Sequence, residues 1–568
     1  MNTELRDFQT KTVDWMIQRE TKGIGGLLMH EQGLGKTLCV IGLLAQNKHQ
    51  GTLVVCPSGL VRVWEHEIKN HSNLGQYVQV YYGNDRNVRL DNTHKNGIYI
   101  TSYTTVSNEF KKYSKQKNKN TFLNQKFKRV VLDEAHVIRN RKTGMFRAVT
   151  EFVQYNKMWV LTATPIFNGI DDIYPFFKLL GIHGVDTIQE FREIVPKSSA
   201  GVRNANRIIY QNGLRYMKHE VLENFPTKTE TVMSVPFSSI EQEFYDALYS
   251  YSGQRLLKIK GIRDSLSNKD TDLRRLYNSC MLVLILRLKQ CCNTPKLILQ
   301  TMERIKGQDL ETAVDTLQHI DTTIECPVCL DNTVSVTNSP CGHKVCEKCA
   351  DRLTNKCWCR AKIHDHIYDH TRKTKEKIVI KLSEVSESTK VKKLLEIITE
   401  RINDQKIVIV SQWTQLIDLL VPIVRKKFQT GVECITGKIP INNRMHIINK
   451  FQTDSTTRIL FVSLNSSAEG ITLTAANTLI HIDQWWNAAK QDQMSDRIHR
   501  IGQTRNVEII NLRIENTIED AIAGLIRKKD TISRVALTKD EKKRIRLENT
   551  GWIDQIIKLI DRSKLYNE

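Results

Sequence analysis

Nine short apolar runs most constrain what this chain can fold into. Five lie in the first 165 residues: Gly25–Met29, Thr52–Cys56, Ile98–Thr101, Arg129–Asp133 and Met158–Thr162. Four follow later: Lys406–Val410, Arg458–Val462, Thr478–Asp483 and Val507–Leu512. Polar, helix-compatible stretches separate them, and this alternation is the pattern of βαβ units, in which parallel strands are covered by helices on both faces. The expected fold class is therefore α/β, with two parallel-sheet regions. Between them the pattern turns helical, as in Ile240, Phe244 and Leu248, and a cysteine cluster follows. The chain has 568 residues, enough for about three to five domains. The divisions expected are an N-terminal lobe over 1–232, a helical protrusion and linker over 233–319 and a cysteine-rich module over 320–370. A linker over 371–389, a second lobe over 390–535 and a basic helical tail over 536–568 complete the chain.

Gly33-Leu34-Gly35-Lys36-Thr37 follows the first apolar run and precedes an apolar helix pattern, Leu38 to Ala45. Glycines let backbone N–H groups approach phosphates, and the helix N-terminus favours negative charge. Lys36 is placed to reach the β- and γ-phosphates and Thr37 to ligate magnesium. The full phosphate-loop pattern has a further glycine where this chain has His30. About a hundred residues on, Asp133-Glu134-Ala135-His136 closes an apolar strand. Paired carboxylates at a strand's carboxyl end suit two tasks: Asp133 holds the magnesium shell, and Glu134 orients or deprotonates the attacking water. Leu161-Thr162-Ala163-Thr164-Pro165 is a hydroxyl-rich strand exit suited to relaying the state of that site.

Together with further motifs, the sequence resembles the Swi/Snf-type ATPases of helicase superfamily two over most of its length. Leu5-Arg6-Asp7-Phe8-Gln9 with Trp15 looks like the adenine-recognition segment, in which Gln9 would read the base. Leu53 to Ser58 with Trp64 and Glu65, and Ile100 to Tyr103, look like the DNA-facing motifs of the first lobe. Lys406 to Trp413 resembles the opening of the second lobe, and Ser463 to Asn477 the segment linking DNA contact to ATP. The most specific match is Gln493-Met494-Ser495-Asp496-Arg497-Ile498-His499-Arg500-Ile501-Gly502-Gln503, preceded by Asp483 to Asn487. The resemblance implies two RecA-like lobes with ATP between them. Gln493 would then sit at the nucleotide, while Arg497 and Arg500 would reach the γ-phosphate only when the lobes close. The chain departs from the family at His30, where an acidic residue is usual, at Ser467 and Ala468, where glycines are usual, and at Ala488 in place of a proline. The motor begins at residue 5, so the long N-terminal extension of many relatives is expected to be absent. His30 is the departure expected to act most on nucleotide affinity.

Seven of the 13 cysteines fall between Cys326 and Cys359, and such clustering in a chain without a secretory signal points to metal and away from disulfides. The ligand order is Cys326, Cys329, Cys341, His343, Cys346, Cys349, Cys357 and Cys359. Thiolates and an imidazole at these spacings suit two tetrahedral zinc ions, which would supply much of the folding energy of so short a segment. The arrangement resembles a RING finger. By that resemblance Cys326, Cys329, Cys346 and Cys349 hold one ion, and Cys341, His343, Cys357 and Cys359 the other. Cys357-Trp358-Cys359 is one residue shorter than the usual final pair. Either both thiolates still bind, or His364 or His366 completes the site. Val328 and Arg360 match the positions that contact a ubiquitin-conjugating enzyme. The insertion between lobes, preceded by Leu286 to Pro295, resembles the branch of post-replication-repair translocases that join a DNA motor to ubiquitin ligation.

Charge enters at the partner. Lysine and arginine number 84 against 62 acidic residues, a net charge of +22, which points to a polyanion, nucleic acid before membrane. Lys111–Arg129 holds eight basic and no acidic residues; it suits phosphate tracking, nuclear import or simply a solvated loop. No apolar run approaches the ~18 residues of a membrane span, and MNTELRDFQTK lacks a secretory core, so an intracellular protein without a membrane partner is expected, nuclear or at sites of DNA replication. The compact layout is compatible with a large DNA virus as source. The expected activity is ATP-driven translocation on duplex or branched DNA, remodelling nucleosomes or other DNA-bound protein, with ATP, Mg²⁺ and two Zn²⁺ as cofactors and a ubiquitin-conjugating enzyme as further partner. The alternatives are a DNA-bound scaffold with a weakened motor and a purely structural zinc module, and a ubiquitin-transferring protein that uses the motor for targeting.

Overall fold

The computed structural model describes residues 1–47, 51–83, 97–115, 121–166, 169–249, 285–298, 388–464, 471–485, 488–524 and 526, with four short strands between 324 and 346. The first sheet contains β1 (Gly26–Leu28), β2 (Thr52–Cys56), β3 (Val78–Val80), β4 (Ile98–Ser102), β5 (Lys126–Leu132), β6 (Gln154–Leu161) and β7 (Gly213–Leu214). Its order is β3-β4-β2-β5-β6-β1-β7, and every pairing is parallel. Successive residues of a strand point to opposite faces. Leu53 and Val55 accordingly join one core cluster and Val54 and Cys56 the other.

Next come β8 (Lys228–Val235) and the four short strands β9 (Ile324–Glu325), β10 (Asn332–Thr333), β11 (Val336–Asn338) and β12 (Lys344–Cys346). Then follow β13 (Ile407–Ser411), β14 (Gly431–Ile435), β15 (Thr457–Ser463), β16 (Thr478–His481) and β17 (Val507–Ile514). The second large sheet runs β14-β15-β13-β16-β17-β8, again all parallel. Ile407 and Ile409 face one core and Val408 and Val410 the other. Helices cover both faces, among them Thr389–Arg401, Thr414–Phe428 and Ile441–Thr453. The expected α/β class with two parallel-sheet lobes is what the described residues form.

One boundary differs from the sequence reading. A first lobe ending at 232 would cut β8, yet all eight residues of β8 pair with β17, from Val507↔Lys228 to Ile514↔Val235. The chain thus enters the second sheet before the zinc module. Helix 239–249 follows β8. The described stretch 518–524 is held by the Ile518 N–H donating to the Tyr245 hydroxyl (2.8 Å). A fully buried ion pair between Lys390 and Glu519 (2.6 Å) also holds it. Either side of the zinc-module segment, the Ser388 hydroxyl donates to the Asn293 carbonyl at 2.6 Å, so the chain leaves and re-enters the motor at adjacent points.

The site between the two lobes

The carboxyl ends of β1, β5 and β6 lie side by side because β6 pairs with both neighbours. Ligands of open parallel sheets gather at such ends. After β1 the chain turns through Gly33 (φ 89°) and Gly35 (φ 75°) into the helix Lys36–Gln46. Both turns need the left-handed region that glycine alone adopts without strain. A β-carbon on Gly35 would lie 2.6 Å from Gln9 Nε2. Gln9 itself is buried; its oxygen accepts from the Arg6 N–H (3.1 Å) and its amide donates to the Leu34 carbonyl (3.2 Å). The helix Asp7–Thr21 and the phosphate loop are therefore tied together. Lys36 Nζ donates to the His30 carbonyl at 2.8 Å. Burial lowers its pKa, opposed by the charges of Glu134 and Asp133.

Asp133 and Glu134 follow β5. Asp133 Oδ2 accepts from the indole of Trp64 (2.8 Å) and Oδ1 from the Glu134 N–H (2.9 Å). Its carbonyl accepts from the Tyr103 hydroxyl (2.8 Å). Burial and the neighbouring Glu134 push the Asp133 carboxyl up. Burial acts the same way on Glu134, but His136, Lys36 and Arg497 override it and hold that carboxyl low. Glu134 has φ 47°, a left-handed backbone that costs a non-glycine residue of order 1–3 kcal/mol and is typical of functional sites. A carboxylate and a hydroxyl are hard oxygen donors, so Asp133 and Thr37 fit magnesium by chemistry. Thr162 continues the same edge, its N–H donating to the Leu28 carbonyl at 3.1 Å.

The second lobe closes this pocket. The helix Ala488–Ile498 presents Gln493, whose amide donates to Glu134 Oε1 at 3.4 Å. Arg500 packs so near the phosphate loop that a β-carbon on Gly33 would lie 3.1 Å from its Cγ. Its guanidinium donates to Thr472 Oγ1 at 3.0 Å. Arg497 is buried, and burial with the charge of Arg500 brings its pKa down to about 10, against the pull of Glu134. Gln9, Gly33, Leu34, Gly35, Lys36, Asp133, Glu134, Gln493, Arg497 and Arg500 thus gather at one interlobe cleft. Gln503, part of the same motif, folds inward: its amide nitrogen lies among the carbonyls of Thr474, Ala476 and Ile498.

His30 is built into the fold. Its Nδ1 accepts from the Tyr216 N–H (3.1 Å), so the proton sits on Nε2, facing Thr12 Oγ1 at 2.8 Å. Thr12 in turn donates to the Phe8 carbonyl. Burial, then Lys36, brings the imidazole pKa down to about 3, leaving a neutral ring between three segments. Residues that sequence reasoning left without a role at the pocket are Trp64 and Tyr103, read only as DNA-facing, and Lys218. For Lys218 no local signal exists, since its partners lie 187 and 278 residues away. The expected zinc ligands Cys326, Cys329, Cys341, His343, Cys349, Cys357 and Cys359, with Val328, Arg360, Ser467 and Ala468, lie outside the described residues. Cys346 ends β12, without a described side chain. Among the described residues no helix is long and apolar enough to cross a membrane.

Three family models match this chain. The SNF2-related domain covers residues 8–297, the helicase conserved C-terminal domain 389–502, and a C3HC4-type RING zinc finger 322–366. The Arabidopsis thaliana DNA repair protein RAD5A is 28% identical over 88% of this chain and 52% of its own length. The Drosophila melanogaster transcription termination factor 2 is 27% identical over 95% of this chain and 57% of its own. The chain therefore spans little more than half the length of these relatives, which are cellular proteins and lend no support to a viral source. The solved Sulfolobus solfataricus SWI2/SNF2 ATPase core in complex with dsDNA is 24% identical, with TM-score 0.38, covering 96% of this chain and 98% of that one. With more than half of its residues matched by one family model and the motifs of both lobes meeting at one cleft, the chain belongs to the SNF2-related family, with a RING finger inserted between its lobes.

Proposed function

We propose that this protein is an ATP-driven translocase on double-stranded DNA whose inserted RING finger recruits a ubiquitin-conjugating enzyme. One observation carries the motor half: the carboxylates and phosphate loop of one lobe are met by Gln493, Arg497 and Arg500 of the other. ATP would lie with its phosphates on the backbone of Gly33 to Thr37, and Lys36 would exchange the His30 carbonyl for a phosphate oxygen. Magnesium, held by Thr37 and Asp133, would neutralise charge building on the phosphates. Glu134, kept ionised by His136 and Lys36, accepts a proton from the attacking water, and Gln493 helps aim it. Arg497 and Arg500 then stabilise the charge of the transferred phosphoryl group, a contribution of roughly 10³ to 10⁵ in turnover where arginine fingers act. The two arginines belong to the lobe that DNA-driven motion would shift, which would couple hydrolysis to translocation.

The excess of basic residues supports a duplex partner, bound largely through phosphates, with salt-sensitive and sequence-independent affinity. The RING match supports zinc, two ions by the ligand count, and a conjugating enzyme at Val328 and Arg360. Nucleosomes or other DNA-bound proteins are the cargo this motor would remodel. Neutral, fully bonded His30 removes one reason for reading the motor as weakened. The test is ATP hydrolysis with no DNA, single-stranded DNA and duplex DNA. Duplex-stimulated turnover is expected, and Lys36→Ala and Glu134→Gln should each lower it at least a hundredfold. Retained turnover in either variant would refute the site assignment.

A further inference from the structure

The chain crosses from β7 in the first sheet to β8 in the second through residues 215–227. Lys218 opens the short helix Lys218–Val221 within that crossing. Its side chain is only 5% exposed, with Nζ 2.7 Å from Asp496 Oδ1 and 3.6 Å from Glu31 Oε1. The same ammonium donates to the His499 carbonyl at 2.7 Å. Glu31 also accepts the Lys218 backbone N–H at 2.8 Å. These partners fall at telling places: Asp496 directly precedes Arg497, His499 directly precedes Arg500, and Glu31 stands two residues before Gly33.

The ammonium donates to two acceptors of the arginine segment, and the Glu31 carboxylate faces it from the phosphate-loop side at ion-pair distance. The crossing is fastened again nearby. His499 Nε2 lies 2.8 Å from the Pro226 carbonyl, and its ring centroid lies 4.6 Å from that of Phe225. Phe8, Leu34 and Leu222 form a small apolar cluster against which Ile501 packs.

We infer that Lys218 is the positioning residue that sets Arg497 and Arg500 over the phosphate loop, acting as the pivot between the lobes; this rests on the ATPase reading above. Its polar contacts are with Asp496, His499 and Glu31, so it acts on the arginines through the residues next to them. Without it, the carboxylates of buried Asp496 and partly buried Glu31 face each other from opposing lobes without their shared cation, which drives the lobes apart. Displacing a catalytic group by about 1 Å can cost 10²-fold in rate.

The experiment measures steady-state hydrolysis on duplex DNA and ADP affinity by calorimetry for the whole chain, wild type against Lys218→Met, Asp496→Asn and the double variant. The expected result is a kcat about 10²-fold lower for Lys218→Met, ADP Kd within threefold of wild type, and little further loss in the double variant, since the two residues act as one unit. An unchanged kcat, an ADP affinity that falls as far as kcat, or independent losses that multiply would overturn the inference. Should Lys218→Met fail to fold, Lys218→Gln replaces it under the same criteria. Should the wild type hydrolyse no ATP, the ATPase reading fails by itself. X-ray scattering then judges the pivot: a larger maximum dimension in the lysine variant supports it, and an unchanged one overturns it.

Discussion

The first lobe carries Lys36 at the start of the helix after β1 and Asp133 and Glu134 after β5, and Trp64 and Tyr103 from its helices hold Asp133 in place. The second lobe is built on the same parallel plan and sends donors and cations into the cleft: Gln493, Arg497 and Arg500. The hydrogen bonds that hold Asp133 and Lys36 come from within the first lobe. The second lobe's contribution exists only where the lobes meet, because the desolvation that lowers the pKa of Arg497 and the proximity of Arg500 to Gly33 both arise at that boundary. Two lobes of like architecture therefore bring different groups to one cleft, carboxylates and the glycine-rich turn from the first and arginines from the second.

The largest expected effect comes from removing the second lobe's part. Arg497→Ala or Arg500→Ala should lower duplex-stimulated kcat about 10³-fold or more, with nucleotide affinity nearly kept; an equal fall in both would erase the division between lobes.

A smaller effect sharpens the contrast from inside the first lobe. Glu20 and Arg129 form an ion pair, 0% and 1% exposed, reinforced by the Trp159 indole (2.9 Å) and Asn47 (2.6 Å). It pins the end of the helix Asp7–Thr21 against β5 and β6, far from any interlobe contact. Arg129→Met leaves the buried Glu20 carboxylate with the more distant Lys157 (3.7 Å) in place of its hydrogen-bonded cation and should cost about 3–5 kcal/mol in chemical denaturation. Burial alone would raise the Glu20 carboxyl, but the hydrogen bonds and charge of Arg129 hold it below the ordinary range. The folded state thus gains stability that is complete above the unfolded value near ~4.3 and is lost as pH falls through the lower folded value. Unfolding midpoints between neutral and acid pH measure it. A variant as stable as wild type near neutrality would contradict this account of the pair.

The smallest effect is expected at Trp64→Phe, which keeps the packing and deletes one donor to Asp133. A hydrogen bond to a charged group is worth about 1.5–3 kcal/mol, so kcat should fall roughly tenfold or somewhat more. Activity equal to wild type would mean that the carboxylate needs no such holder.

What the sequence made legible follows strand position. The nine apolar runs became β1, β2, β4, β5, β6, β13, β15, β16 and β17, all interior strands of the two large sheets. Bonded on both sides and covered on both faces over most of their length, such strands carry a short continuous apolar run, as Val130–Leu132 does in β5 and Met158–Leu161 in β6. The four strands of those sheets left unread, β3, β7, β8 and β14, are their edges. β8 is exposed at Lys228, Thr229 and Glu230 and then alternates between half-buried and exposed residues, Val232 and Ser234 being exposed, so no continuous apolar run announces it, and the lobe boundary was misplaced with it. The phosphate loop, the Asp-Glu pair and the arginine segment were legible because their chemistry dictates residue types at fixed local spacing. Lys218 and the Thr12–His30–Tyr216 link were not, because each joins segments far apart in sequence.

The division between lobes is tested most directly by measuring ATP affinity and single-turnover hydrolysis side by side on duplex DNA, in wild type and Arg500→Ala. The account predicts ATP Kd within a few-fold of wild type and hydrolysis slower by about 10³-fold. Wild-type hydrolysis in the variant, or a loss of ATP binding that accounts for the whole defect, would contradict it.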